Sequence, residues 1–287
     1  MIKSILVPLD DSHYSEIALK YAISLSQFFE ADLKGLFVID IKFLEAPMMR
    51  NYWAPLDIGR MGVITYPAYQ NKIRETLEQK GKDLLGNFEK LCEEAGIKYT
   101  SSLVTGLVSS TICEEGKTVD LIIMGKRGEN APWGEKMLGS VLEATVRGAT
   151  KPVLVTTDKY SNINNILIAY DGTKQADHAL ELAAEVGAQG DFNFYLLTVY
   201  HSDSDEEWGR ETNKKAMEYL APYKLRIEQM VEKGDADDII LKVTEEKDCE
   251  LIVMGAYGHS RLRELILGST TEQVMRLANC PVLLYRK

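Results

Sequence analysis

The chain has 287 residues, enough for two compact units of roughly 100 to 200 residues each. Apolar residues make up 45% of it and charged residues 26%, the balance of a globular chain and not of a disordered or fibrous one. A formal charge of -10 and a pI near 5.1 oppose a phosphate backbone and so exclude nucleic acid as a partner, while no apolar run nears the ~18 residues of a membrane span.

MIKSILVPLDDSHY has neither the length nor the cleavage pattern of a signal peptide, which makes the cytoplasm the expected location. The segment ILVPLDDSHYSEIALKYAISL, from Ile5, reads as strand, turn and helix, with Asp10 just beyond the strand. The stretch from Ile41 to Gln70 follows, rich in Pro, Tyr and Met and without a clear period. It reads either as a structured loop packed against a neighbour or as a lid over a ligand site, and a helix is predicted near Asn71 to Ala95. VDLIIMGKRG, from Val119 to Gly128, is a buried strand ending in glycines, and LGS, from Leu138 to Ser140, opens the next helix. KPVLVT closes the unit, and the polar TDKYSNINN, from Thr157 to Asn165, has a linker's composition.

The pattern then starts again. ILIAYDGTKQADHALELAAEV, from Ile166, repeats the opening segment and puts Asp171 where Asp10 stood; CELIVMGAYG, LGS and CPVLLY repeat the later ones in order. In this second unit strands are predicted at 166–169, 194–200, 225–231, 251–254 and 282–285, and helices at 175–186 and 236–246 on apolar stripes. Short β-rich runs alternating with amphipathic ones argue for βαβ crossovers and a parallel sheet buried on both faces. The expected fold class is therefore α/β, as two repeated open-sheet domains of five parallel strands each, at residues 1–157 and 163–287, with helices on both faces.

The most specific motif is GAYGHSRLRELILGST, a G-x2-G-x9-G-[ST] pattern set between an apolar strand and a helix. Gly255 and Gly258 end the strand, and Gly268 and Ser269 open a helix whose first-turn amides lack intrahelical partners and carry the positive end of the dipole. Such a turn seats phosphate, because glycine brings no Cβ between amides and oxyanion. Ser269 adds a hydroxyl, and His259, Arg261 and Arg263 add charge. The competing reading makes these glycines turn and cap residues alone. Asp10 and Asp171 face the same crevice, either as acceptors for a ribose or base or as helix-start residues. Neither the G-x-G-x-x-G of dinucleotide folds nor the P-loop pattern is present. Cys92, Cys113, Cys249 and Cys280 are scattered without metal-ligand spacing and read as reduced thiols.

Together, ILIAYDG, GDADDIILKV, LIVMGAYG, LGST and CPVLL resemble the universal stress protein family in its tandem two-domain form, over both units. The resemblance implies strand order 3-2-1-4-5 and ATP, ADP or AMP as cofactor, with or without Mg²⁺ or Mn²⁺, bound across the first and fourth strand ends. It places Asp171, Val199, Gly255, Gly258, Gly268, Ser269 and Thr270 at the second site. At the first it places Asp10, Val38, Gly125, Gly128, Gly139, Ser140 and Val141. There ten residues, including Pro132, separate Gly128 from Gly139 where the pattern has nine, which favours the second site as the binding one. The resemblance also implies pairing of the two halves through VLVTT and VLLYR as an internal pseudo-dimer, and association of two chains as a homodimer. Three functions are compatible with the residues: a nucleotide-binding regulatory or stress-response module, a slow ATPase for which no catalytic base is evident, and a non-binding scaffold.

Overall fold

A computed structural model describes residues 2–45, 66–129, 137–256 and 268–286. Among these residues the chain builds one ten-stranded sheet. The first half contributes β1 (Ser4–Pro8), β2 (Asp32–Asp40), β3 (Tyr99–Gly106), β4 (Leu121–Gly125) and β5 (Val153–Thr156). The second contributes β6 (Asn165–Ala169), β7 (Asn193–Tyr200), β8 (Arg226–Lys233), β9 (Leu251–Gly255) and β10 (Val282–Tyr285). Spatial order across the sheet is β3-β2-β1-β4-β5-β10-β9-β6-β7-β8, so each half has the order 3-2-1-4-5. Within each half every pair is parallel. The one antiparallel pair is β5 with β10, Leu154 opposite Leu283, and it joins the two half-sheets edge to edge. Each of these strands would otherwise present unpaired N–H and C=O groups.

Residues on successive positions of the inner strands point to opposite faces, and both faces are apolar. Ile5, Val7, Ile166 and Ile168 belong to one buried cluster, beneath α1 (His13–Phe29), α3 (Tyr66–Ala95), α6 (Lys174–Gly187) and α7 (Glu206–Leu220). Leu6 and Leu167 belong to the other, beneath α4 (Val108–Gly116), α5 (Ser140–Gly148), α8 (Ala236–Glu246) and α9 (Ser269–Leu277). A short helix, α2 (Ile41–Glu45), follows β2. The predicted helix near Asn71 begins earlier, at Tyr66, and the strand predicted at 225–231 lies at Arg226–Lys233. Most of the 41–70 insertion, read either as a packed loop or as a lid, lies outside the described residues. Among the described residues no helix is long and apolar enough to cross a membrane.

One acidic residue per half explains the D and E of VDLIIMG and CELIVMG. Asp120 Oδ2 accepts the backbone N–H groups of Lys3 and Ser4 at 2.8 and 3.0 Å, and Glu250 Oε2 accepts those of Asn164 and Asn165 at 3.1 and 2.8 Å. Each carboxylate thereby satisfies backbone donors at the start of its half's central strand.

The glycines that end β4 and β9 serve packing first. A Cβ on Gly255 would lie 2.9 Å from the backbone nitrogen of Ala176, and one on Gly125 would lie 2.6 Å from Tyr14 Cβ. The first turns of α6 and α1 thus rest directly on the strand ends. Since the obstacle at Gly255 is backbone, relief needs a shift of helix against sheet. Gly255→Ala is expected to destabilise the protein by about 1–3 kcal/mol, the usual cost of overpacking. A urea titration of the two proteins measures it, and an unchanged midpoint would contradict this account of the strand–helix contact.

Candidate functional site

At the carboxyl ends of β6, β7 and β9 the second half opens a cavity of about 250 Å³. Its wall includes Asp171, Val199, Gly255, Gly268, Ser269 and Thr270, which the family resemblance placed together. Gly258 and Arg261 lie outside the described residues, as do His259 and Arg263.

The turn after β6 positions Asp171. Its Oδ1 accepts the Thr173 amide at 3.0 Å and the Thr173 hydroxyl at 2.6 Å, and Thr173 in turn caps α6 by accepting the Ala176 amide at 3.3 Å. Gly172 allows the turn its positive φ of 74°, a left-handed conformation that costs glycine little. Asp171 therefore does helix-entry work, one of its two sequence readings, while its carboxylate also forms part of the cavity wall. Beside it Tyr170 donates its hydroxyl to Asp177 Oδ1 at 2.6 Å. Burial, reinforced by that carboxylate, pushes the phenol pKa well above its ordinary value. Tyr170 stays neutral, with its one donor satisfied.

Opposite stands the N-terminus of α9. Gly268 precedes it in an extended conformation, φ -61° and ψ 139°, with no side-chain cap. Thr271, which is buried, donates its hydroxyl to the carbonyl oxygens of Ala256 at 3.1 Å and Gly255 at 3.4 Å, tying the first turn of α9 to the end of β9. The remaining wall is mostly apolar: Leu197, Ile240 and Met254 carry it together with Val199. Sequence reasoning missed Tyr170, Thr271 and Ala236. Ile240 lies on the apolar stripe of the helix predicted at 236–246 and is almost fully buried, yet it also reaches the cavity. Tyr170 directly follows β6, Ala236 opens α8, and Thr271 and Ile240 stand about one turn into their helices, so closeness to a strand–helix junction was the sequence signal for all four.

The first half repeats the aspartate turn and departs elsewhere. Asp10 Oδ1 takes the Ser12 amide at 3.0 Å and hydroxyl at 2.5 Å, and Oδ2 accepts the Glu129 amide at 3.2 Å. Lys80, from α3, reaches Glu129 at 2.6 Å and Asp11 at 3.4 Å, which draws the loop after β4 onto the turn after β1. Burial by itself would lower the Lys80 pKa, but the two carboxylates outweigh it and raise it. A Cβ on Gly128 would meet Asp10 Oδ2 at 2.6 Å, so the carboxylate packs against that glycine. The Gly139 amide donates to the Lys126 carbonyl at 3.1 Å, spending one amide ahead of α5 on the protein's own backbone. Ser140 is exposed, and Val141, 36% exposed, offers no hydroxyl where the second half has Thr270. Val38 is half-buried on β2, as Val199 is on β7, and Gly125 ends β4 beneath α1. Lys126, in the same loop, points to the second half, with Nζ 3.4 Å from the Ala278 carbonyl oxygen at the end of α9. Burial lowers its pKa.

Among the described residues no group of three or more His, Cys, Asp or Glu side chains is placed to hold a metal ion. All four cysteines are unpaired thiols, and burial pushes those of Cys92 up to about 11 and of Cys249 and Cys280 up to about 12. They are poor nucleophiles at neutral pH.

Comparison with known proteins agrees with this architecture. The sequence model of the Universal stress protein family matches residues 1–157 and again 162–286. Universal stress protein Slr1230 of Synechocystis sp. is 30% identical over 290 residues, covering 99% of this chain and 100% of that protein. A universal stress protein of Mycolicibacterium smegmatis is 24% identical over 302 residues, covering 98% of this chain and 96% of its own length. The crystal structure of a universal stress protein from Archaeoglobus fulgidus superposes with a TM-score of 0.77 at 25% identity, covering 99% of this chain and 98% of that one. With the family pattern present in each half and relatives matching end to end, this chain belongs to the universal stress protein family.

Proposed function

We propose that the second half binds an adenine nucleotide, ATP or its products, and that the bound state sets the shape or partners of a stress-response regulatory module. The observation that carries this reading is the convergence of Asp171, Val199, Gly255, Gly268, Ser269 and Thr270 on one cavity at the mouth of α9. The first-turn amides and positive dipole end of α9 suit a polyphosphate, and Ser269 and Thr270 add hydroxyl donors beside them. Leu197, Val199, Ile240 and Met254 supply an apolar wall suited to a flat base, and Asp171 stands where a ribose hydroxyl would find an acceptor. A divalent ion, if one accompanies the nucleotide, rides on the phosphates, since the described residues gather no carboxylate cluster of their own.

In this reading the first half is the weaker partner. Its loop is held by Asp10, Glu129 and Lys80, and an amide ahead of α5 is already engaged. An anion arriving there would have to displace contacts the protein makes with itself. Binding free energy would be spent on that rearrangement before any affinity appeared.

Protein purified without added nucleotide is expected to release ATP or ADP on denaturation, identified by mass. Gly268→Val puts a branched side chain at the mouth of α9 and is expected to weaken binding at least tenfold, or about 1.4 kcal/mol. Wild-type protein that neither carries nor binds adenine nucleotide at millimolar concentration would overturn the proposal. A paired substitution separates the halves: calorimetry of Val199→Trp should record lost binding, and Val38→Trp should retain the wild-type affinity. The reverse result would move the site to the first half.

A further inference from the structure

A second cavity lies away from the candidate nucleotide site, on the α1 and α6 side of the sheet and between the two halves. Its volume is about 180 Å³. Leu154 and Leu283, the facing residues of the antiparallel β5–β10 pair, lie on its lining together with residues of α1, α6 and the linker. The linker runs along α1: His13 Nε2 donates to the Asp158 carbonyl at 2.8 Å, the rings of Tyr21 and Tyr160 lie 4.7 Å apart, and the Ser161 amide donates to the Tyr21 hydroxyl at 3.0 Å. Phe28, from α1, packs edge-on against Phe192 of the second half at 5.7 Å. Phe28 and Tyr160 are 37% and 38% exposed. Two aromatic side chains on the lining are therefore reachable from solvent.

Three properties define what fits this space. Its size is close to the ~150 Å³ at which an apolar cavity lined by Leu, Ile and Phe stays dry and accepts benzene. Its lining includes the rings of Tyr21, Phe28, Phe29, Tyr160 and Phe192, whose edges and faces favour another ring in offset or edge-on contact. None of the described residues lining it carries a charge, so an ion entering would lose its hydration without a counter-charge. An apolar occupant of matching size makes dispersion contacts with each wall it touches.

We propose that this cavity is a binding site for a small uncharged molecule built on a single aromatic ring. Because its walls come from both halves, an occupant touches both and holds them together across the β5–β10 seam. This site is independent of the nucleotide reading and stands or falls separately.

Fluorobenzene, titrated into the full-length protein and followed by fluorine NMR, is the probe, with fluorobenzoate as its charged counterpart. The expected result is saturable binding of fluorobenzene, a higher melting temperature in its presence, and at least tenfold weaker binding of fluorobenzoate. Ser24→Phe, on α1, and Ile163→Phe, on the linker, each place a ring in the cavity from a different wall. Each should lose fluorobenzene binding at least tenfold while keeping the wild-type melting temperature or raising it, and while leaving adenine nucleotide binding unchanged. The absence of saturable binding to wild type, equal binding of the charged probe, or undiminished binding in both filled variants would overturn the proposal.

Discussion

The sheet can exist only with both faces covered. Its central strands carry apolar side chains on alternate faces, Ile5 and Val7 to one side and Leu6 to the other, and the same alternation recurs at Ile166, Leu167 and Ile168. Helices must therefore pack above and below. Every parallel crossover then leaves a strand at its carboxyl end and enters a helix by its N-terminus, which gathers strand ends and helix N-termini along the same edges of the sheet. There the backbone keeps unsatisfied donors while the rest of it is paired. The candidate nucleotide cavity is a consequence of how a two-sided parallel sheet closes, and Gly255 makes it compact by letting α6 rest on the end of β9.

The repeat supplies that edge twice, and the two halves use the region between the fourth strand and the last helix differently. In the second half Thr271 ties the start of α9 to β9 and leaves Ser269 and Thr270 at the cavity. In the first half the same region turns inward. Glu129 bonds with Asp10 and Lys80, and Gly139 gives its amide to Lys126. Lys126 itself reaches across to Ala278, at the far end of α9. The described ends of this loop, at Glu129 and Gly139, are thus bonded to the protein's own groups, while Lys126 makes a contact between the halves. Partly buried ion pairs such as Lys80 with Glu129 contribute modestly to stability, but they fix loop geometry well.

The seam between the halves has a similar logic. Antiparallel pairing of β5 with β10 covers two edges at once and brings Leu154 and Leu283 into register. On the α1 and α6 side the helices do not close completely over that seam. The linker crosses the gap through Tyr160 and Ser161, and the space beneath stays apolar and uncharged.

The 3-2-1-4-5 strand order came from the family resemblance alone, whereas the repeat, the fold class and the presence of a glycine-bearing turn between β9 and α9 were legible in the residues themselves. They rest on short-range periodicity and on motifs that recur in order, and such signals do not depend on what packs where. The residues that the resemblance assigns to the second half's site lie together on the cavity at α9, apart from Gly258 and Arg261, which lie outside the described residues. Three things needed tertiary structure. The occupied state of the first loop depends on Lys80, separated from Glu129 by 49 positions, and a contact at that range leaves no periodic trace. The apolar wall of the cavity at α9 depends on Ile240, whose spacing reads as core because one side chain can belong to a helix stripe and to a cavity lining at once. The space beneath the linker depends on the fit between two halves that each look complete on their own, and volume left unfilled between surfaces is a property no single segment encodes.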